Sequence, residues 1–521
     1  MYTKTDIKQF KKRGVKPEEV DRQVENFRRG FAPVVVEEAA TVGNGIHALT
    51  RDEAETFARH FEDLKDKTEM VKFVPASGSA TRMFKLLNSF RARYTGSDED
   101  YLRFLREKEP GTMYSFFAKL KEYPFYHHLK AALHEDRLDL DKLLWKNRFQ
   151  EILDYLLTEK GLNYNHTPKA LIDFHIYKDH VRTALEEHLV EAALYCNDGK
   201  RASVHFTVSE EYLSRVKAHV KAVQKAYREE YGVTFDVTYS VQKPETDTVS
   251  LDARGELLRD GEGNVVFRPG GHGALIHNLN DLKERLIFIK NIDNVTPDRN
   301  KEDTVFYKKV LAGVLLDVQE RVYGYMKRLD KAKEVTPELL AEVETFVRED
   351  LGFQPEEGSV PTETGARVKY LRGLLDRPLR VCGMVRNEGE PGGGPFWVKT
   401  AEGGRRLMIV ESAQINLRDK EQKKIFAGST HFNPVDIVCG TYNYKGKKYD
   451  LEEFIDREQG FITEKSFEGQ DIRVQELPGL WNGAMARWNT LFVEVPLSTF
   501  SPVKTVFDLL RFEHRNVFKV D

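Results

Sequence analysis

Four short segments carry residues that could act on phosphates. In VKFVPASGSATRMFKLL, Val71 to Leu87, an apolar run enters a loop of small residues, and Thr81, Arg82 and Met83 open a helical pattern. A helix start offers free N–H groups and a positive dipole end to an anion. Arg82 would add a planar donor that suits phosphate oxygens. The same letters also spell a plain small-residue turn with Arg82 in solvent. In GNVVFRPGGHGALIHNL, Gly263 to Leu279, Gly270, Gly271 and Gly273 surround His272. So free a backbone suits close approach to a ligand, or a turn before a helix. In RLIFIKNIDNV, an apolar strand ends near Asp293. A carboxylate there faces a ligand crevice and could hold Mg²⁺ with substrate phosphates, or could cap the next turn. In FVEVPLSTFSPVKTVFDLL, Lys504 follows an apolar strand and a Ser-Pro pair. Alone it reads as an exposed loop lysine.

The elements that must position these residues follow from periodicity. Met70 to Val74, Ala202 to Val208, Thr234 to Val241 and Arg285 to Lys290 read as strands, with helical stretches such as VRTALEEHLVEAAL and EEYLSRVKAHVKAVQKAY between them. That alternation predicts an α/β fold with a mostly parallel central sheet and helices on both faces. Residues 1–65 read as an N-terminal helical arm, residues 66–90 and 161–521 as the core, and residues 91–160 as a helical insertion within it. Residues 302–350 read as helical. LRVCGMV, RRLMIVE and TLFVEVP read as further strands, and GEPGGG at 389–394 as a loop between two of them.

Composition narrows the classes of partner. The 521 residues hold 80 basic and 83 acidic side chains, a formal net charge of -3, which argues against a DNA coat or a polybasic membrane anchor. The acidic residues interspersed through 100–160 make that basic, aromatic stretch a solvated helical face, so no nucleic-acid partner is expected. No apolar run of about 18 residues spans a membrane, and the basic start MYTKTDIKQFKKRG lacks the apolar stretch of a signal peptide. Cys196, Cys382 and Cys439 fit neither a disulfide framework nor a metal knuckle, and a reducing, cytoplasmic setting is expected. His166, His175, His180 and His188 crowd one window, but no spacing forms an i, i+4 pair or HExxH. They read as a mixture of satisfied and solvated histidines.

Taken together and in order, these segments resemble the UDP-sugar pyrophosphorylase group of nucleotidyltransferases. SGSATRM, Ser77 to Met83, stands where that group has a GGxGTRM loop. TPKALIDFHIY supplies a Pro-Lys pair, Pro168 and Lys169; SVQKPE supplies a glutamine, Gln242; and PGGHGALIHNL resembles the glycine-rich loop on the sugar side. NIDN resembles the metal segment, IVESAQ (with Glu411) a VVEYSE strand, and STHFNPVD an Asn-His-Phe segment around Asn433. VPLSTFSPVKTVFDLL is similar to VPRSRFxPVKxTSDLL, which carries a substrate-contacting lysine, here Lys504. Within the group the chain is most similar to a bacterial branch, the DUF4301 type. It departs at two loop glycines, replaced by Ser77 and Ala80, and at two arginines, replaced by Leu497 and Thr499.

The resemblance implies a Rossmann-like nucleotide-diphospho-sugar transferase fold. The implied enzyme is a uridylyltransferase-like sugar-1-phosphate nucleotidyltransferase, with a nucleoside triphosphate and a sugar-1-phosphate as partners. Arg82, Lys169 and Lys504 would be catalytic cations. Ser77, Gly78, Ser79, Ala80, Thr81, Gln242, Gly271, His272, Gly273 and Glu411 would touch nucleotide or sugar. Mg²⁺ would sit on Asp293, with Asn433 as a second ligand. The alternative is a nucleotide or nucleotide-sugar binder of the same fold that has lost its chemistry.

Overall fold

The computed structural model describes residues 2–331, 335–389, 392–467 and 470–516. The chain folds into two compact units. The first comprises Met1–Phe73, Ser240–Ile289 and Phe306–Leu497, the second Val74–Tyr239, Lys290–Val305 and Ser498–Asp521.

The first unit is built on a mixed sheet. Its strands lie in the spatial order Thr41–Val42, Gly45–His47, Asn489–Glu494, Leu379–Arg386, Ile437–Gly440, Leu286–Ile289, Met70–Pro75. Neighbours run parallel except at Ile437–Gly440, which is antiparallel to the strands on both sides. The expected mostly parallel sheet is therefore corrected to a mixed one. A short run such as DIVCG shows its apolar character in sequence, but strand direction is set by backbone pairing. Both faces of these strands are buried, with Phe73, Ile289, Ile437, Cys382 and Phe492 on one and Phe288, Val438, Val381 and Leu491 on the other. The expected strand at RRLMIVE lies outside this sheet. It forms Gly404–Val410, which pairs with Gly394–Lys399 and Phe353–Pro355. Between Leu379–Arg386 and Gly394–Lys399 runs the loop expected at GEPGGG, of which Glu390 and Pro391 lie outside the described residues.

The N-terminal arm is only partly helical. Lys4–Arg13, Pro17–Arg29 and Arg51–Leu64 are helices, but Val36–Ala39, Thr41–Val42 and Gly45–His47 are strands. The reading of 1–65 as helical is corrected there. Val36 pairs with Val398, and Gly43 and Gly45 take φ of 81° and 92°, turning the chain where β-branched residues favour strand over helix.

The second unit carries the strands Arg201–Val208 and Thr234–Val241, the latter ending in the first unit's Ser240 and Val241, beside the long helix Glu210–Tyr231. Residues 91–160 are helical as expected, in five helices from Asp98–Arg106 to Phe149–Leu157, with no strand among the described residues. Their core is aromatic. Phe117 stacks on Phe149 with ring centroids 4.4 Å apart, and Phe104 lies 4.6 Å from the same ring. This helical stretch also supports the Lys504 segment: Phe116 meets Phe507 edge-on at 6.5 Å, and Glu122 pairs with Arg515 at 2.9 Å. Among the described residues no helix is long and apolar enough to cross a membrane, and the three cysteines are buried and form no disulfide.

Candidate functional site

Lys169, Asp293 and Lys504 meet in the second unit. Lys169 Nζ donates to Asp293 Oδ2 at 2.7 Å, and Lys504 Nζ donates to the same oxygen at 3.3 Å. The two lysines stand 124 and 211 positions from Asp293 in the chain. Lys169 and Asp293 are largely buried, whereas the Lys504 side chain is 59 % exposed. Burial by itself disfavours both charges of the inner pair. It holds the Lys169 ammonium below its ordinary value despite Asp293. For Asp293 burial pushes upward, but Lys169 and Lys504 together outweigh it and hold the carboxyl below its ordinary range. Two ammoniums against one carboxylate leave a net charge of +1, open to solvent on the Lys504 side.

Each member is fixed by backbone bonds. The loop at 77–83 is tied to the Lys169 segment by Lys169 N donating to Gly78 O at 3.2 Å and by a bridge between Ser79 and Pro168. It is tied to the Lys504 segment by Val506 N donating to Met83 O at 3.2 Å, and to the strand Arg201–Val208 by Ala76 N donating to Thr207 O at 2.8 Å. The expected helix start is corrected: Ala80–Arg82 is a single 3₁₀ turn, and the α-helix proper is Lys85–Arg93. Ser79 and Thr81 hydroxyls bond each other at 2.8 Å, Ala80 is buried, and Arg82 is exposed with no ion pair among the described residues. A Cβ on Gly78 would meet nothing within 4 Å, so this side of the loop is open.

Two residues that the sequence reading passed over complete the arrangement. Asn294 accepts from Ser501 N at 2.9 Å through Oδ1, and Val503 N donates to Asp293 O at 3.1 Å, so the Lys504 segment is zipped onto the Asp293 segment. Asp508 Oδ2 accepts from the backbone amides of Lys504 and Thr505 at 2.8 and 2.7 Å and from the Thr505 hydroxyl at 3.2 Å. The signal for Asp508 was available: Thr505-x-x-Asp508 is a capping pattern.

The remaining expected residues lie in the first unit. His272 stacks on Trp481 at 4.3 Å with an interplanar angle of 16°, and its Nδ1 accepts from Leu480 N at 3.1 Å. Burial holds its imidazole below the ordinary value, partly offset by Glu411 and Glu476. Glu411 Oε1 accepts from Asn482 Nδ2 at 3.0 Å. The glycines of this loop answer to the protein's own chain: a Cβ at Gly273 would lie 2.1 Å from Pro478 O, and one at Gly270 would lie 2.6 Å from Thr246 O. Gln242 Nε2 is buried without a hydrogen-bond partner among the described residues. Asn433 is buried with both ends of its amide on backbone, donating to Gly383 O at 2.8 Å and accepting from Val435 N at 3.0 Å. It thereby holds Val435, a β-branched residue, at a left-handed φ of 61°.

Asp293 is the carboxylate that the two lysines share, and no cluster of three His, Cys, Asp or Glu able to hold a metal occurs among the described residues. A lone carboxylate could serve Mg²⁺ only within a shell completed by substrate phosphates. The histidines of the 166–188 window are engaged otherwise. His175 bonds Glu187 at 2.8 Å and His514 at 2.9 Å, and His188 Nε2 bonds Ile292 O at 3.2 Å.

A family model described as "Domain of unknown function (DUF4301)" matches residues 3–515. No curated protein matches the sequence. Among solved structures, the chain is similar to a mutant UDP-glucose pyrophosphorylase from Leishmania major in complex with UDP-glucose, at 13% identity and a TM-score of 0.45, covering 98% of this chain and 79% of that one. It is similar to the uridine diphosphate N-acetylglucosamine pyrophosphorylase of Trypanosoma brucei in complex with inhibitor at 11% identity and a TM-score of 0.47, covering 94% and 74%. At these scores the likeness decides neither substrate nor chemistry, which rest on the residues themselves.

Proposed function

We propose that this chain, which belongs to the DUF4301 family, is a nucleotidyltransferase that joins a sugar-1-phosphate to a nucleoside triphosphate and releases pyrophosphate. The observation that carries the reading is the convergence of Lys169 and Lys504 on Asp293 beside the open Ser77–Gly78 loop. A sugar-1-phosphate oxygen attacks the α-phosphorus, a P–O bond forms, and the bond to pyrophosphate breaks. No covalent enzyme intermediate is needed, so the protein's work is to align two anions and stabilise the charge that builds between them. Lys169 sits deepest and faces the triphosphate. Lys504, on the solvent side, reaches the sugar phosphate or α-phosphate, and Arg82 meets the departing pyrophosphate. Asp508 and Asn294 hold the Lys504 segment in register. Asp293 would carry Mg²⁺ together with the phosphates, and the ion would supply further charge neutralisation. Gln242, with its orphaned amide N–H, is assigned to the base, and the His272–Glu411 cluster to the base or sugar side. Three cysteines outside any disulfide suit a reducing, cytoplasmic setting.

The test is a panel of nucleoside triphosphates and sugar-1-phosphates with Mg²⁺, read by pyrophosphate release. Lys169→Ala and Lys504→Ala should each lower turnover by about 10²-fold or more. Full turnover in both variants would sink the assignment. Ser77 and Ala80 in place of loop glycines favour a second reading, a nucleotide binder without transfer chemistry. Thermal stabilisation by nucleotides with no pyrophosphate release across the panel would select it.

A further inference from the structure

The helix Ala184–Tyr195 is buried over all but two of its residues, yet it carries four buried acidic or imidazole side chains, Glu186, Glu187, His188 and Glu191. A helix so thoroughly buried is ordinarily apolar all round. Three of these four side chains reach the same stretch of chain, residues 290–301, which contains Asp293. Glu191 Oε1 accepts from Lys290 Nζ at 2.8 Å, His188 Nε2 bonds Ile292 O at 3.2 Å, and Glu187 Oε2 accepts from Lys301 Nζ at 2.5 Å. Lys301 Nζ also donates to Thr296 O, closing the distal half of the stretch. A fourth tie comes from the strand just before the helix: Arg182 Nη1 donates to both carboxylate oxygens of Asp298, at 2.8 and 2.9 Å.

We propose that this helix is a clamp that positions Asp293, with Glu191, His188 and Glu187 as positioning residues that hold the Asp293 turn from behind. The proposal rests on the reading of Asp293 as the centre of the anion site. Residues 290–301 contain no strand and only a 3₁₀ turn at Asp298–Asn300, so their buried polar groups need partners from outside the segment. The clamp supplies them at residues 290, 292 and 301, Arg182 adds a tie to the exposed Asp298, and the Lys504 segment engages the same stretch through Val503 N and Asn294.

Stability alone does not account for this choice of residues. Desolvating each ion of a buried pair costs several kcal/mol, and apolar residues of like volume often serve stability as well or better. What the polar ties add is direction: His188 holds the Ile292 carbonyl itself, and each ion pair holds one side chain of the stretch. Within the ties the acids Glu187, Glu191 and Asp298 meet the bases Lys301, Lys290 and Arg182, and Glu230 adds a further acid on Arg182.

The test is hydrogen–deuterium exchange on the full-length chain with both charges of one tie replaced, in the double variant Glu191→Leu/Lys290→Met. Amides of residues 291–296 should exchange about tenfold or more faster than in the parent, while those of the strand Arg201–Val208 stay protected. Unchanged exchange at 291–296, or acceleration spread equally over Arg201–Val208, would overturn the clamp. A double variant Glu191→Gln/Lys290→Gln, which keeps volume and hydrogen bonding, is measured alongside. It should fall between parent and apolar pair, and it decides the outcome should the apolar pair not fold. Inorganic pyrophosphate binding by calorimetry separates the two proposals. A parent that binds no pyrophosphate removes the anion-site reading, and the exchange data still judge the clamp.

Discussion

Replacing Asp293 by asparagine tests the charge arrangement most directly, because the two lysines and their carboxylate have opposite effects on an arriving anion. In the parent the three groups sum to +1. Asp293→Asn raises this to +2, and Lys169→Met lowers it to zero. A phosphate oxygen contacting the ammoniums would lie on the order of 5 Å from the carboxylate, where one unit of charge is worth about 3 kcal/mol at an effective dielectric of about 20. Lys504 is 59 % exposed, so solvent and salt screen part of this. Roughly half survives, about 1.5 kcal/mol or tenfold in affinity. Metal-free, Asp293→Asn should therefore bind inorganic pyrophosphate about tenfold more tightly, and Lys169→Met about tenfold more weakly. Folding stability should move the other way. The neutral amide in Asp293→Asn would leave Lys169, only 14 % exposed, without its counter-charge. Breaking a fully buried pair costs about 3–5 kcal/mol, and the partial exposure here reduces that to about 2–3 kcal/mol. In Lys169→Met, Asp293 retains Lys504, and the loss should be smaller. Calorimetric titration with pyrophosphate in the presence of a chelator, paired with thermal unfolding, reads both effects. If Asp293→Asn weakens metal-free pyrophosphate binding as much as Lys169→Met does, the lysine pair is not an anion site and the reasoning fails.

Other expectations concern the segments around that centre. Gly78→Ala places a Cβ where nothing lies within 4 Å, so stability should hold or rise by about 0.5 kcal/mol, while nucleotide affinity falls because the open side of the loop is obstructed; unfolding and nucleotide titrations are compared on one sample. Asp508→Ala removes the acceptor for the Lys504 and Thr505 amides and should cost about 1–2 kcal/mol of stability, as capping losses do. In a double-mutant cycle, Lys504→Met should then add little further loss of pyrophosphate binding, and full additivity would count against the positioning role. The His175–His514 pair should make the fold acid-sensitive. Burial holds both imidazoles below their ordinary values, His514 down to about 3, so between about pH 6.5 and that value the unfolded chain binds more protons than the folded one. Stability should be complete above about pH 6.5 and fall as pH drops, by up to about 1.4 kcal/mol per pH unit for each histidine. Melting curves from about pH 7 to about pH 4.5 should flatten in His514→Gln, and an unchanged slope would refute the assignment.

The sequence alone identified where chemistry could be, because local pattern is enough for that. Apolar runs ending in Asp293 or leading to Ser501-Pro502 announce strand ends and loops, and the helical periodicity of 91–160 survived as five helices. Lys169 was found through resemblance and has no local signal of its own. That Lys169, Asp293 and Lys504 share one carboxylate oxygen is a fact of three-dimensional closure over 124 and 211 residues. No periodicity encodes it. The glycines around His272 looked like room for a ligand, yet the space at Gly270 and Gly273 is filled by the protein's own carbonyls. Glu187, His188 and Glu191 are residue types that ordinarily lie in solvent. Only the tertiary structure, by bringing Lys290, Ile292 O and Lys301 against them, made burial of those charges physically tolerable. Side-chain type and spacing determine which groups are available and which local element carries them. Which groups meet, at what distance and in how little water, is decided by packing between segments far apart in the chain.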